Sequence, residues 1–173
     1  AALMKKVVGF CSQENSFYPE LTVEENFFYY GRLYGVASKE LNKLSKELLQ
    51  VVGIYSSKHV LAGNVSGGMK RRLDFAIALL HQPELLILDE PTAGLDPITE
   101  KHIWDLIADL SQRGVSIIVI SHMLSFVEKY CNTVSFLDKG QIILTADPQQ
   151  LRKRYSHKET FAEIFAHIVG VSA

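Results

Sequence analysis

Two adjacent carboxylates, Asp89 and Glu90, follow the apolar run Leu85–Leu88. A short, uninterrupted apolar run of this kind predicts a buried strand of a parallel sheet. A carboxylate at such a strand end is suited to hold Mg²⁺ through water, and its neighbour is suited to accept a proton from an attacking water. The pair alone is equally typical of any buried strand that ends in acidic residues.

A second chemically suggestive segment, Ser66-Gly67-Gly68, lies about twenty residues earlier and opens an amphipathic run. Serine followed by two glycines predicts a helix N-terminus without side chains, where backbone N–H groups and the helix dipole can meet a phosphate. Taken alone, the tripeptide is also a common loop sequence. We predict that the basic triplet Lys70-Arg71-Arg72 that follows is a solvated helix face rather than an anion site.

The composition is that of an ordinary soluble domain, with 173 residues of which 47% are hydrophobic and 21% charged. The net charge of −1 gives no support to a nucleic-acid partner. No apolar stretch approaches the roughly 20 residues of a membrane span, and no signal peptide is recognisable. A cytoplasmic or peripheral protein is expected, with Cys11 and Cys131 as reduced, buried thiols.

The secondary structure that is predicted to position these groups changes along the chain, from mostly helices to alternating strands and helices. Residues 20–80 are predicted to be mostly helical, with a strand before them at Val7–Ser12. The predicted helices begin at Thr22 and Ser66, and a further helix between them is predicted to be capped by Ser38. From Leu85 onward strands alternate with helices, which predicts an α/β fold with a parallel sheet covered by helices on both faces. The predicted elements of this second part are Leu85–Asp89, a helix from Asp96-Pro97, Ile117–Ser121, Leu124–Cys131, a hairpin of Val134–Leu137 and Ile142–Thr145, Pro148–Arg154 and Lys158–Val169.

The order and spacing of five segments resemble the motifs of ABC-type ATPases. Ser66-Gly67-Gly68 resembles the signature motif, and Leu85–Glu90 resembles the Walker B motif. The other three resemblances are Gln13 to the Q-loop glutamine, Ala93-Gly94-Leu95-Asp96 to the D-loop and Ser121-His122 to the switch histidine. An accidental match of all five in register is far less common than a match of any one.

This resemblance implies a role for each residue. Glu90 and His122 would be catalytic, with Glu90 polarising the attacking water and His122 reaching the γ-phosphate. Asp89 and Gln13 would hold Mg²⁺. The implied contacts to ATP come from Gln13, Ser66, Gly67, Gly68 and Asp96.

The resemblance is strongest to the type-two exporters of drugs, polysaccharides or lipids, because Met69 stands where many relatives carry glutamine and residues 159–165 are similar to that group's C-terminal helix. It implies an ATP-binding and ATP-hydrolysing subunit, peripheral on the inner face of the cell membrane. The implied partners are a transmembrane permease subunit and a second ATPase subunit in a head-to-tail dimer, with no nucleic acid. Phe17, Tyr18 and Phe27 are candidate contacts to the membrane subunit, and their helical spacing is compatible either with packing within the chain or with a subunit interface.

One motif of the family is not found, because no G-x-x-x-x-G-K-[ST] occurs in the sequence. We therefore expect residues 1–173 to be a single truncated ABC ATPase domain with an incomplete P-loop core. In this interpretation residues 20–80 form a helical signature subdomain, and residues 1–19 and 81–173 form the α/β core and C-terminal helices. The strand Val7–Ser12 is expected to lie beside Leu85–Asp89 in the sheet. Without the Walker A strand the sheet would have an empty slot, and the chain alone is expected to bind ATP weakly and to be inactive.

Two other functions are compatible with the motifs. The chain could be a non-catalytic ABC half that only supplies the signature motif to a partner, although intact Glu90 and His122 argue against this. It could also be a soluble ABC ATPase of DNA repair or translation. The lack of a long heptad repeat argues against that class.

Overall fold

The computed structural model describes residues 7–156 and 160–170, which excludes Lys158 and Glu159 of the last predicted helix. The chain divides into two compact units, residues 1–120 and 121–173. The elements of the first unit are β1 (Val8–Cys11), α1 (Val23–Leu33), α2 (Ser38–Val51), two 3₁₀ turns (Tyr55–Ser57 and Ala62–Asn64), α3 (Gly67–Ala78), β2 (Leu85–Asp89), α4 (Pro97–Gln112) and β3 (Ser116–Ile120).

The first unit is built on a parallel sheet with the strand order β1-β2-β3. Cys11 lies opposite Leu88, and Asp89 lies opposite Ile120, so all three strands end at the same edge. The predicted α/β class and the predicted placement of β1 beside β2 are confirmed. Among the described residues, β3 pairs only with β2, so its other edge is open.

The helix starts follow the predicted local signals at two of three positions. Thr22 and Glu25 form a reciprocal capping box, and the Ser66 hydroxyl accepts a hydrogen bond from the Met69 N–H. The prediction that Ser38 caps α2 is wrong, because Ala37 occupies the cap position and Ser38 is the first helical residue. The end of α1 explains the shift: a Schellman motif, with left-handed Gly35 and a bond from the Val36 N–H to the Gly31 carbonyl, leaves only Ala37 before α2.

The two faces of the sheet differ in burial. Leu86 and Leu88 on one face are fully buried, as are Leu73 and Phe75 of α3. On the other face Phe10, Ile118 and Ile120 are each more than half exposed. Helices therefore flank the sheet as predicted, but the prediction that they cover both faces is wrong within residues 7–156 and 160–170, where one face stays half exposed.

The second unit contains an antiparallel hairpin and three helices among its described residues. Its elements are α5 (Leu124–Tyr130), β4 (Val134–Asp138), β5 (Gln141–Ala146), α6 (Pro148–Arg154) and α7 (Phe161–Val169). The predicted hairpin is confirmed, and Phe136 of β4 packs with Leu151, Phe161 and Ile164 in a small core.

Cys11 of the first unit and Cys131 of the second are free cysteines, the first buried and the second half-buried. None of the helices described is long and apolar enough to cross a bilayer.

Candidate functional site

The carboxylate pair lies where β2 leaves the sheet. Asp89 is the last residue of β2, and Glu90 follows in the left-handed region with a φ of 47°. The Glu90 N–H donates to the Ile120 carbonyl oxygen at 2.9 Å, so the backbone stays attached to β3 after the strand has ended. Both acidic residues are half-buried. The turn therefore presents two neighbouring carboxylates at the carboxyl edge of a parallel sheet.

Gln13 lies at the same sheet edge as the carboxylates. It comes two residues after β1, the strand that pairs with β2, and it is exposed. The structure thus brings Gln13, Asp89 and Glu90 to one edge, which is where ligands bind in parallel α/β sheets.

Arg71 of α3 connects these two segments, and the sequence prediction for it is wrong. Its side chain is buried, at 5% exposure, rather than solvated. One guanidinium nitrogen, Nη1, donates to the carbonyl oxygens of Ser12 and Gln13, and the other, Nη2, donates to those of Asp89 and Glu90. A helical spacing of three, four and seven residues places Arg71 on the same face as three buried residues, Asp74, Phe75 and Ala78. That spacing is the signal that the sequence interpretation missed.

Asp74, one turn after Arg71, holds the other end of the segment that contains Gln13. Its Oδ1 accepts hydrogen bonds from the Ser16 N–H at 3.0 Å and from the Ser16 hydroxyl at 2.9 Å. Burial raises the pKa of the Asp74 carboxyl, while the hydrogen bonds from Ser16 and the charge of Arg71 act in the opposite direction. Residues 12–16 are therefore anchored to α3 at both ends.

The N-terminus of α3 forms a separate exposed surface. A Cβ atom on Gly67 would meet no atom within 4 Å, and a Cβ on Gly68 would lie 3.2 Å from Leu95. The first N–H groups of a helix have no partner within the helix, so the glycine backbone at this end is open to an anion. Leu95 belongs to the segment that resembles the D-loop, so the structure places that segment beside Gly68.

Asp96 has a structural task in this chain. Its Oδ1 accepts hydrogen bonds from the N–H groups of Ile98 and Thr99, each at 3.1 Å, and its Oδ2 accepts from the Thr99 hydroxyl at 2.6 Å. The Thr99 hydroxyl is the main reason that the pKa of the Asp96 carboxyl is lowered. Asp96 is thus the N-cap of α4, and it is exposed.

His122 belongs to the second unit and follows the end of β3 by two residues. It is exposed, and its carbonyl accepts a hydrogen bond from the Leu124 N–H at 2.9 Å. The Ser121 hydroxyl accepts one from the Met123 N–H at 3.1 Å. These bonds fix the turn that leads from His122 into α5.

Of the three predicted contacts to a membrane subunit, two are wrong. Phe17 and Phe27 are buried in the core of the first unit, at 8% and 0% exposure, and offer almost no surface to a partner. Tyr18 is exposed and lies edge-on to Tyr29, with ring centroids 4.9 Å apart. Tyr29 also lines a shallow groove of about 690 Å³ on α1, together with Leu21, Glu25, Phe28, Arg32 and Leu33.

The donor set at the sheet edge is suited to magnesium rather than to a metal held by protein ligands alone. No group of three or more His, Cys, Asp or Glu side chains in the described ranges forms a metal site. Mg²⁺ prefers oxygen ligands and is usually bound through one or two carboxylates plus substrate phosphates. Asp89 and the amide oxygen of Gln13 fit that requirement.

Comparison with known proteins identifies relatives for most of the chain. The linearmycin resistance ATP-binding protein LnrL of Bacillus subtilis is 37% identical over 153 residues, which are 88% of this chain and 49% of LnrL. The Nod factor export ATP-binding protein I of Neorhizobium galegae is 37% identical over 151 residues, which are 87% of this chain and 44% of that protein. The chain thus spans about half the length of the curated relatives it matches.

Solved structures share the fold. An ATP-binding subunit of an ABC transporter matches with a TM-score of 0.85 at 23% identity, over 96% of this chain and 70% of that one. An ATP-binding cassette, MJ0796, whose dimer was solved in a post-hydrolysis state with ADP and Pi, matches with a TM-score of 0.78 at 22% identity, over 85% of this chain and 65% of that one. The protein-family model described as "ABC transporter" matches residues 1–93, and this range contains Gln13, the Ser66 segment and Glu90. The chain therefore belongs to the ABC transporter family.

Proposed function

We propose that this chain is part of the ATP-binding and ATP-hydrolysing subunit of an ABC-type membrane exporter. The observation that carries the proposal is the meeting of Gln13, Asp89 and Glu90 at the carboxyl edge of the parallel sheet. The names of the two relatives, which refer to linearmycin resistance and Nod factor export, favour export as the process that ATP hydrolysis drives.

The chemistry at this edge divides among its three side chains, and the resemblance to the switch histidine assigns a further role to His122 of the second unit. Asp89 and Gln13 would hold Mg²⁺, which would neutralise charge on the phosphates. Glu90 accepts a proton from the attacking water, and a carboxylate directly after the metal ligand is suited to that task. His122 donates a hydrogen bond to the γ-phosphate.

The exposed N-terminus of α3 serves a second site. Its open N–H groups at Gly67 and Gly68 bind the phosphates of a nucleotide held by a second ATPase subunit, in a head-to-tail dimer. Asp96 follows Leu95, whose side chain lies beside Gly68, and it belongs to the same interface. The dimeric state of the MJ0796 cassette supports this arrangement.

The remaining phosphate contacts come from a P-loop, and this sequence has none. The open edge of β3 and the exposed apolar side chains of Phe10, Ile118 and Ile120 offer a strand-pairing and packing surface for the element that carries it. We infer that ATP is bound only when that element is present, so the 173-residue chain alone is inactive.

The membrane partner is a permease subunit, which holds this subunit at the inner face of the membrane. Its contact on this chain is the groove of α1 lined by Phe28, Tyr29 and Leu33, with exposed Tyr18 next to it. The mixture of aromatic side chains with Glu25 and Arg32 is typical of a protein interface, because aromatic residues and arginine are enriched there.

The decisive experiment compares Glu90→Gln with Glu84→Gln in the assembly that contains the P-loop and the partner subunits. Glu84 precedes β2 at the opposite end of the same strand and is exposed, so it is a matched control. We expect Glu90→Gln to lower the ATPase rate by about 10²-fold or more while ATP binding remains, because an amide cannot accept the proton. Glu84→Gln should keep the wild-type rate. A wild-type rate in Glu90→Gln would exclude Glu90 as the base.

A further inference from the structure

Arg71 makes an unusual set of contacts for a buried cation. All four of its hydrogen-bond acceptors are backbone carbonyls, two from the segment after β1 and two from the end of β2. Its fixed, planar guanidinium donates in two directions at once, which a single ammonium group cannot reproduce. The side chain therefore bridges two segments of backbone.

The hydrogen bonds of Arg71 lie just beyond the point where the pairing of β1 with β2 ends. The β1–β2 ladder ends at the pair Cys11 and Leu88, and Arg71 donates to the residues immediately beyond it on both strands. The two segments carry Gln13 on one side and Asp89 with Glu90 on the other. Arg71 thus joins the backbone of Gln13 to the backbone of Asp89 and Glu90.

We propose that Arg71 is a positioning residue for ATP hydrolysis, setting the placement of Gln13 relative to Asp89 and Glu90 through their backbones. This rests on the proposed function of those three residues. Arg71 touches no reacting atom. Its effect comes through geometry, and a displacement of about 1 Å in a catalytic group can cost 10²-fold in rate.

Arg72 provides a matched control on the same helix. It also donates to three backbone carbonyls, those of Gly68, Val52 and Gly53, at 3.1 to 3.3 Å. These acceptors lie within α3 and at the end of α2, away from the sheet edge. Loss of Arg72 therefore removes a comparable structural clamp without touching the segments of Gln13 and Glu90.

The experiment measures kcat, KM for ATP, the Mg²⁺ concentration for half-activation and Tm for Arg71→Lys, Arg71→Met and Arg72→Met in the complete ATP-hydrolysing assembly. Each variant is assayed at the same interval below its own Tm. We expect Arg71→Lys to lower kcat by about 10- to 100-fold with KM changed less than about threefold, and to raise the Mg²⁺ requirement. Arg71→Met should do the same more strongly. Arg72→Met should retain kcat and the Mg²⁺ requirement even where its Tm falls.

Three outcomes would overturn the proposal: a wild-type kcat in Arg71→Lys and Arg71→Met, an equal loss of kcat in Arg72→Met, or a loss in the Arg71 variants with an unchanged Mg²⁺ requirement. If Arg71→Met does not fold, Arg71→Lys decides, since it keeps the buried charge.

Glu90→Gln, measured alongside, separates the positioning role of Arg71 from the proposed function of Glu90. If Glu90→Gln is inactive and the Arg71 variants are normal, only the positioning role fails. If Glu90→Gln is fully active, the assignment of the base fails.

Discussion

The Glu90 N–H and the Ile120 carbonyl are joined by a 2.9 Å hydrogen bond at the point where β2 and β3 both end. Glu90 keeps this sheet-like bond although its φ of 47° lies in the left-handed region that disfavours residues with a Cβ. The backbone carbonyl of the same residue accepts a bond from Arg71. Two backbone hydrogen bonds thus hold the proposed base in a backbone conformation that is unfavourable for a residue with a Cβ.

The left-handed backbone of Glu90 predicts a reversal of the usual order of alanine and glycine. Glu90→Gly should be more stable to urea than Glu90→Ala by about 1 kcal/mol, because only glycine adopts positive φ without a Cβ penalty. At exposed Lys46, inside α2, Lys46→Gly should instead be less stable than Lys46→Ala by about 1 kcal/mol. The same order at both positions would show that Glu90 is unstrained.

A histidine outside the proposed site makes the stability of the first unit depend on pH. The His81 Nε2 lies 3.0 Å from the Val8 carbonyl oxygen, so this nitrogen carries the hydrogen, while the buried Nδ1 has no hydrogen-bond partner in the described part of the chain. Burial lowers the pKa of His81 below its ordinary 6.5. The unfolded chain therefore takes up a proton first, and stability is lost as pH falls below about 6.5.

Urea unfolding of His81→Gln tests this, because glutamine can still donate to Val8 but does not titrate. Between pH 6.5 and 5.5 the free energy of unfolding of the wild type should fall more steeply than that of the variant, by up to about 1.4 kcal/mol per pH unit. Equal slopes for the wild type and His81→Gln would contradict the assignment.

Two glycines distinguish a packing requirement from a binding surface. A Cβ on Gly9 would collide with the Ala78 carbonyl and lie 2.9 Å from Pro83, so Gly9→Ala should destabilise the chain by about 1–3 kcal/mol. Gly67→Ala should change stability by less than about 0.5 kcal/mol, because its Cβ meets nothing. If Gly67 faces a partner's nucleotide as proposed, Gly67→Ala should nevertheless lower ATPase activity in the assembly. Unchanged activity would remove Gly67 from that interface.

Local signals predicted much of this fold. The capping box at Thr22, the proline after Asp96 and the apolar runs predicted the element order, since each of these signals depends on neighbours in sequence. The pairing of β1 with β2 joins residues far apart in the chain, and it was expected from the resemblance to ABC-type ATPases. The burial of Arg71 was not predicted, and the spacing of Phe17 and Phe27 left packing and a subunit interface open, because burial depends on which elements pack together in space. The exposed face at Phe10 and Ile118 was also missed. An apolar strand pattern predicts that the side chains are buried, but it does not identify the element that buries them.

The missing P-loop leads to a prediction for the chain by itself. Ligand stabilisation requires occupancy of a site in the folded state, and the amides and lysine that would supply most phosphate contacts are not in this sequence. The purified 173-residue chain should therefore show no rise in Tm with millimolar Mg-ATP and no ATPase activity, and linking it to a segment that carries the P-loop should restore both. A rise of several degrees for the chain alone would show that it holds nucleotide by another route. Loss of that rise in Gly67→Ala would place the nucleotide at the N-terminus of α3, and the P-loop account would have to be given up.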